Sequence, residues 1–249
     1  MLPWDGAEMA EILAGEETSG PVAKSLREAD AVVAWTRSSS LVAALAPRVR
    51  RLLVHDPAAP PGSGHVSAWL ARPLAELGVA PVEAAPPLQF TEAEARAFAP
   101  LGRSLPPRFV AVHAGSGSLG KNWRAERFVA LAETLAGGRR WLLVVGPAED
   151  QPTIVHPASA VVARELPLRV LGALLSRAGL YVGNDSGVTH LAAAAGAPTL
   201  ALFGPTDPGT WAPLGSAVRT LRAPRADLDD LAVESVLEAA QGLLAAAVT

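Results

Sequence analysis

With 249 residues, half of them hydrophobic and 18% charged, the chain has material for one large domain or two of ordinary size, which excludes disorder over most of it. A formal net charge of −3 without any run of Lys or Arg argues against a nucleic-acid groove, and no nucleic-acid partner is expected. The chain has no Cys, so disulfides and thiolate metal sites are excluded, in keeping with a reducing compartment. In chain order, residues 30–35 (DAVVAW) and 51–55 (RLLVH) read as strands, and 41–47 and 66–77 as helices. Three prolines within 79–87 mark a linker, followed by a short helix over 91–99 that should stop at Pro100.

From residue 108 the alternation sharpens. Strands are expected at 109–113, 141–146, 161–165, 180–183 and 199–204, with helices at 125–136, 168–177, 188–195 and 228–244. Short β and α units in alternation imply α/β architecture, with a doubly wound parallel sheet covered on both faces. The expected division is a reduced α/β layer over residues 1–88 and a full Rossmann-like domain over 89–249. Only two convincing strands precede the linker, and a sheet that buries both faces needs more. A homodimer through this N-terminal part is the corollary, because exposed sheet edges invite a partner.

The distinctive motifs share one address. HAGSGSLGKNW, GPAED, LP, GNDSG and FGPTDP each follow a successive strand of the C-terminal part. Loops after parallel strands emerge together at the carboxyl edge of the sheet, where open α/β folds bind ligands. The first loop offers Ser116, Gly117, Ser118 and Lys121: glycine lets backbone N–H groups approach an anion, while hydroxyls and an ammonium add donors. That suits a phosphate, against the plainer reading of Lys121 as a solvated lysine. Residues 115–120 spell GxGxxG literally, yet no acid closes the next strand as a dinucleotide site requires, and no Ser or Thr follows Lys121 as a P-loop requires.

In GNDSGVTH, Asp185 or Ser186 can cap a helix opening at Gly187, whose first turn and dipole suit an anion. His190 falls one turn in, either as a structural hydrogen-bonding group or as part of the site. GxSxG is absent, so a serine hydrolase is a poor reading of Ser186. Glu149 is either a ribose acceptor or an acid favoured by a helix start. Five scattered histidines without HxH or HExxH spacing predict no metal.

These residues together resemble glycosyltransferase family 9, the heptosyltransferase family of lipopolysaccharide core synthesis. The resemblance is specific over residues 109–213 and follows by pattern over 30–77. It implies a GT-B-like fold of two Rossmann-like domains and an inverting, metal-independent transfer of a heptose-like sugar. The donor would be a nucleotide diphosphate-sugar, ADP-linked, with no other cofactor, and the acceptor a lipopolysaccharide-type glycan or glycolipid. On this basis residues 116–121 hold the diphosphate, Glu149 the ribose, the region ending at Leu168 the adenine, and Asp185, Ser186, Gly187 and His190 the diphosphate and sugar. The implied location is cytoplasmic, at the inner face of a membrane through a peripheral association with the acceptor. The start of the chain carries no basic or apolar leader segment, so no signal peptide is expected. Family members open with a strand and a glycine-rich loop bearing the catalytic Asp. Here no residue matches that base by motif, and Asp5 is the candidate. The alternative is a nucleotide-sugar-binding module without catalysis.

Overall fold

The computed structural model describes residues 6–80, 87–146 and 156–246. The chain divides into two compact units, Met1–Val82 and Glu83–Thr249. In the first, strands β1 (Val32–Trp35) and β2 (Leu52–His55) pair in parallel, with Val32 opposite Leu52 and Trp35 opposite His55. Four helices accompany them: α1 (Ala7–Leu13), α2 (Pro21–Glu28), α3 (Ser39–Leu45) and α4 (Val66–Ala75). Met9, Ile12, Ala23 and Ala44 form the buried cluster. An open cavity of about 520 Å³ lies between α1, α2, α3 and β1, walled by Met9, Leu26, Trp35 and Leu45 among others.

Helices α1 and α2 were not expected. The start of α2 explains why: Gly20 offers no capping side chain, and the Glu8 carboxylate of α1 accepts from the N–H groups of Val22 (3.0 Å) and Ala23 (2.9 Å) instead. A cap supplied by a residue fourteen positions away leaves no local signature.

The second unit is built on a six-stranded parallel sheet: β3 (Val110–His113), β4 (Trp141–Val145), β5 (Ala160–Arg164), β6 (Leu180–Asn184), β7 (Thr199–Phe203) and β8 (Val218–Arg222). Its spatial order is β5-β4-β3-β6-β7-β8, the doubly wound arrangement in which the chain reverses direction between β3 and β6. Side chains alternate across it. Val110, Val112, Trp141 and Leu143 join one core with Trp123, Phe128 and Leu131, beneath α7 (Ala125–Ala136) and α11 (Val233–Ala246). Phe109, Ala111, Leu142 and Val144 join the opposite core with Phe98 and Leu174, on the side of α8 (Leu168–Leu175). The fold is α/β with a doubly wound parallel sheet, as the strand alternation implied, and GT-B-like, as the resemblance implied.

Three local expectations need correction. A sixth strand, β8, follows the five expected ones. The terminal helix begins at Val233, not at 228, because residues Leu228–Asp230 form a 3-10 turn capped by the Asp227 side chain. The short helix does not end at Pro100: it bends into two pieces, α5 (Glu92–Ala97) and α6 (Ala99–Gly102), with Pro100 in the first turn of the second, where a missing N–H costs nothing. Helices α9 (Gly187–Ala194) and α10 (Pro208–Trp211) complete the unit. Among the described residues no helix is long and apolar enough to cross a membrane.

Candidate functional site

The reversal between β3 and β6 leaves a crevice at the carboxyl ends of those strands, because the loops leaving them run to opposite faces of the sheet. From β3 comes the glycine-rich loop, which makes a 3-10 turn over Leu119–Lys121. From β6 comes a sharp turn through Asp185 and Ser186 into α9. Although 64 positions apart, Lys121 and Asp185 meet there: Nζ donates to Oδ2 at 2.9 Å. The carboxylate is largely shielded, its side chain 10% exposed against 33% for the lysine. Thr206, from the loop after β7, donates its hydroxyl to the same Oδ2 at 2.8 Å.

Ser186 caps α9. Its hydroxyl accepts from the Thr189 N–H at 3.4 Å and lies 3.1 Å from Thr189 Oγ1 and 3.4 Å from His113 Nδ1. The exposed Gly187 begins the helix, and its N–H is among those with no intrahelical acceptor. His190 sits half-buried one turn further on. On the glycine loop, Ser116 Oγ donates to the Ser118 carbonyl (2.7 Å) and accepts from the Ser118 N–H (3.2 Å), which closes a tight turn around Gly117. Leu168, at the start of α8 after β5, is 69% exposed. Glu149 and Asp5 lie outside the described residues. Chemically, the crevice offers an ammonium, serine hydroxyls and a helix N-terminus for an anion, beside a shielded carboxylate.

The residue that frames this crevice went unnoticed in the sequence reading. Asn184 ends β6 fully buried; its Nδ2 donates to the Ala114 carbonyl (2.7 Å) and its Oδ1 accepts from the Trp123 N–H (3.0 Å). One side chain thus ties both ends of the glycine loop to the neighbouring strand. Trp123 is held in turn, with its indole N–H on the Leu231 carbonyl at 3.0 Å. His113, also buried at a strand end, was missed likewise. The available signal is a polar residue ending a strand that is otherwise buried, since such a group must find partners inside the protein. Gly183 has a related role. A Cβ there would lie 2.5 Å from the Tyr181 hydroxyl and 2.8 Å from Thr189 Oγ1, so only glycine admits the buried hydroxyl pair beneath the Ser186 turn.

The first unit has its own carboxyl edge. There Arg37 pairs with Asp56 at 2.8 Å, and this guanidinium, hydrogen-bonded to the carboxylate, holds it below its ordinary range. His55 stacks near Trp69, whose ring also lies under Arg72 with a centroid distance of 4.6 Å.

Comparison with known proteins gives a consistent result. Residues 53–240 match the model of glycosyltransferase family 9 (heptosyltransferase). The chain is 32% identical over 114 residues to lipopolysaccharide heptosyltransferase 3 of Escherichia coli, a match covering 42% of this chain and 34% of that protein. The aligned segment thus spans about a third of that relative's length. Among solved structures, a family 9 glycosyl transferase from Veillonella parvula superposes with a TM-score of 0.75 at 19% identity, over 97% of this chain and 80% of the other. ADP-heptose lipopolysaccharide heptosyltransferase II of E. coli gives 0.72 at 21%, over 97% and 83%. These two likenesses are likenesses of fold.

Proposed function

The chain belongs to glycosyltransferase family 9, and from that premise we propose that it transfers a heptose-like sugar from an ADP-linked donor to a lipopolysaccharide-type glycan or glycolipid. The observation that carries the reading is the meeting of Lys121 with Asp185 between β3 and β6, beside the N-terminus of α9. The choice of ADP follows the names of the relatives, one of which specifies ADP-heptose.

In this reading the second unit binds the donor. Lys121, the N–H groups of the glycine loop and Gly187 receive the diphosphate, while Ser116, Ser118, Ser186 and His190 line its path. Leu168 offers an exposed apolar surface to the base, and Glu149 is the ribose candidate. The acceptor side falls to residues 1–88, where the Trp69, Arg37 and Asp56 chemistry at the end of β1 and β2 suits a sugar. A glycolipid acceptor would bring the protein to the inner face of a membrane. The half-exposed strands β1 and β2 support self-association through the same unit.

The reaction is a single displacement with inversion. An acceptor hydroxyl attacks the anomeric carbon as the bond to the diphosphate oxygen breaks; a carboxylate takes the hydroxyl proton, with Asp5 the candidate. Charge grows on the departing diphosphate, where Lys121 and the helix N-terminus supply fixed donors without a metal. The Asp185 carboxylate would favour the positive character that develops at the sugar.

Titration calorimetry with ADP and ADP-heptose tests the donor site. Lys121→Ala should weaken both by about 10- to 100-fold, the loss of a charge-assisted hydrogen bond. Equal affinity in variant and wild type at low salt rejects the assignment. Product analysis with a truncated lipooligosaccharide, with and without EDTA, separates an inverting, metal-independent transferase from a module that binds the donor without turnover.

A further inference from the structure

The loop after β7 is a rigid one. Gly204 is packed so closely that a Cβ would lie 3.1 Å from both the Ala226 carbonyl and Leu228 Cγ. Pro205 follows with a fixed φ. On the other side of Thr206, the Asp207 carboxylate accepts from the Thr210 hydroxyl at 3.2 Å and is paired with Arg222 at 3.5 Å. The Thr206 hydroxyl is therefore presented from a braced support, 2.8 Å from Asp185 Oδ2. Lys121 reaches that same oxygen at 2.9 Å from the opposite direction, on a flexible stem and from a loop whose residues 117–120 are exposed.

The two partners of Oδ2 are not equivalent. An ammonium can be drawn off by a more strongly charged anion, and a diphosphate carries more charge than one carboxylate. A threonine hydroxyl on a fixed loop gains nothing by leaving. We propose that Thr206 is a positioning residue for Asp185: when Lys121 transfers to the donor diphosphate, Thr206 alone keeps the carboxylate oriented toward the sugar. This rests on the donor reading given above. It adds a division of labour, in which Lys121 serves donor affinity and Thr206 serves the geometry of the reacting centre through Asp185. In the ligand-free protein the Lys121–Asp185 pair is then a resting contact that holds both groups near their working places.

The test compares Thr206→Val, nearly isosteric but without a donor, with Thr206→Ser, which keeps the hydroxyl. In Thr206→Val, kcat should fall about ten-fold, the scale of one hydrogen bond to a charged group, while KM for the donor and the Kd for ADP stay within about two-fold. Thr206→Ser should restore turnover. In an Asp185→Asn background the valine substitution should cost little more. Carbon-13 NMR of the Asp185 carboxyl gives a readout independent of turnover: its chemical shift in the ADP-bound protein should change in Thr206→Val and return to the wild-type value in Thr206→Ser. Unchanged kcat overturns the proposal, as does a loss that falls equally on ADP affinity, a serine variant that fails to rescue, or an Asp185 carboxyl chemical shift identical in wild type and Thr206→Val with ADP bound. Failure of the wild-type protein to bind ADP overturns the donor reading itself, and the exchange with it. That result is visible by calorimetry before any variant is made.

Discussion

In the C-terminal sheet, β3, β4, β6 and β7 are buried at every position, whereas β1 and β2 of the N-terminal sheet bury one residue each, Ala34 and Leu53. Both sheets use parallel strands feeding helices. The difference lies in neighbours. A strand with a partner on each side and helices above and below leaves no face to water, while a two-stranded sheet consists of edges only. Trp35 and Val54 accordingly remain 44% and 48% exposed.

The contrast extends to the carboxyl edges. Where strands are buried, the polar residues that end them are locked: Asn184 has both amide atoms engaged, and His113 faces the Ser186 cap. At the end of β1 and β2, the Arg37–Asp56 pair stands largely in solvent, where screening leaves such pairs weak. Polar side chains are held more firmly at the edge of the larger sheet. At the smaller one they stand more exposed.

The largest expected effect breaks the comparison directly. Leu202→Ala on β7, at a fully buried position, should destabilise the C-terminal unit by about 3–5 kcal/mol, and Val54→Ala on β2 its own unit by under about 1 kcal/mol. Urea unfolding followed by tryptophan fluorescence measures both, and comparable losses would refute the contrast. Next comes the lock on the glycine loop. Asn184→Ala orphans the Ala114 carbonyl and the Trp123 N–H, and should cost about 2–4 kcal/mol while raising hydrogen exchange at Trp123. If the variant is as stable as wild type with unchanged exchange, the loop is held by something else.

The smallest effect concerns acid. Arg169, hydrogen-bonded to Glu94 and to the Gln89 carbonyl, holds the Glu94 carboxyl at about 2, down from an ordinary 4.5. A carboxyl depressed on folding adds stability that is complete above about pH 4.5 and is lost as the pH falls toward 2. Thermal melts of Glu94→Gln should therefore lie below wild type at neutral pH and converge with it near pH 2. A constant gap across that range would dissociate the pair from folding.

What could be read beforehand follows the same division. The buried strands β3, β4, β6 and β7 are continuous apolar runs and are legible as such. Edge strand β8 is not, because Arg219 and Arg222 alternate with smaller groups and dilute the pattern. Lys121 and Asp185 each stand out within a motif. Their meeting does not, since it depends on β3 lying beside β6, a matter of strand order on which a one-dimensional pattern is silent. Thr206 belongs to a motif that reads as a loop, and its role emerges only once Asp185 lies across from it. The role of Asn184 emerges in the same way, because its partners at Ala114 and Trp123 lie 70 and 61 positions away in the chain.

The strand order also dictates how this unit must assemble. β3 is the first strand of its sheet in the chain, yet its inner neighbour is β6, and Val110 waits for Leu180 seventy residues later. During synthesis, β3, β4 and β5 can associate early, but the side of β3 that will face β6 stays open until the second half emerges. Such long-range closure is slow relative to local helix formation. The crevice that holds Lys121 against Asp185 is the seam between these two halves, so it forms only when they close on each other. Any ligand that spans the seam would report completion of the fold and, by mass action, draw the chain toward it.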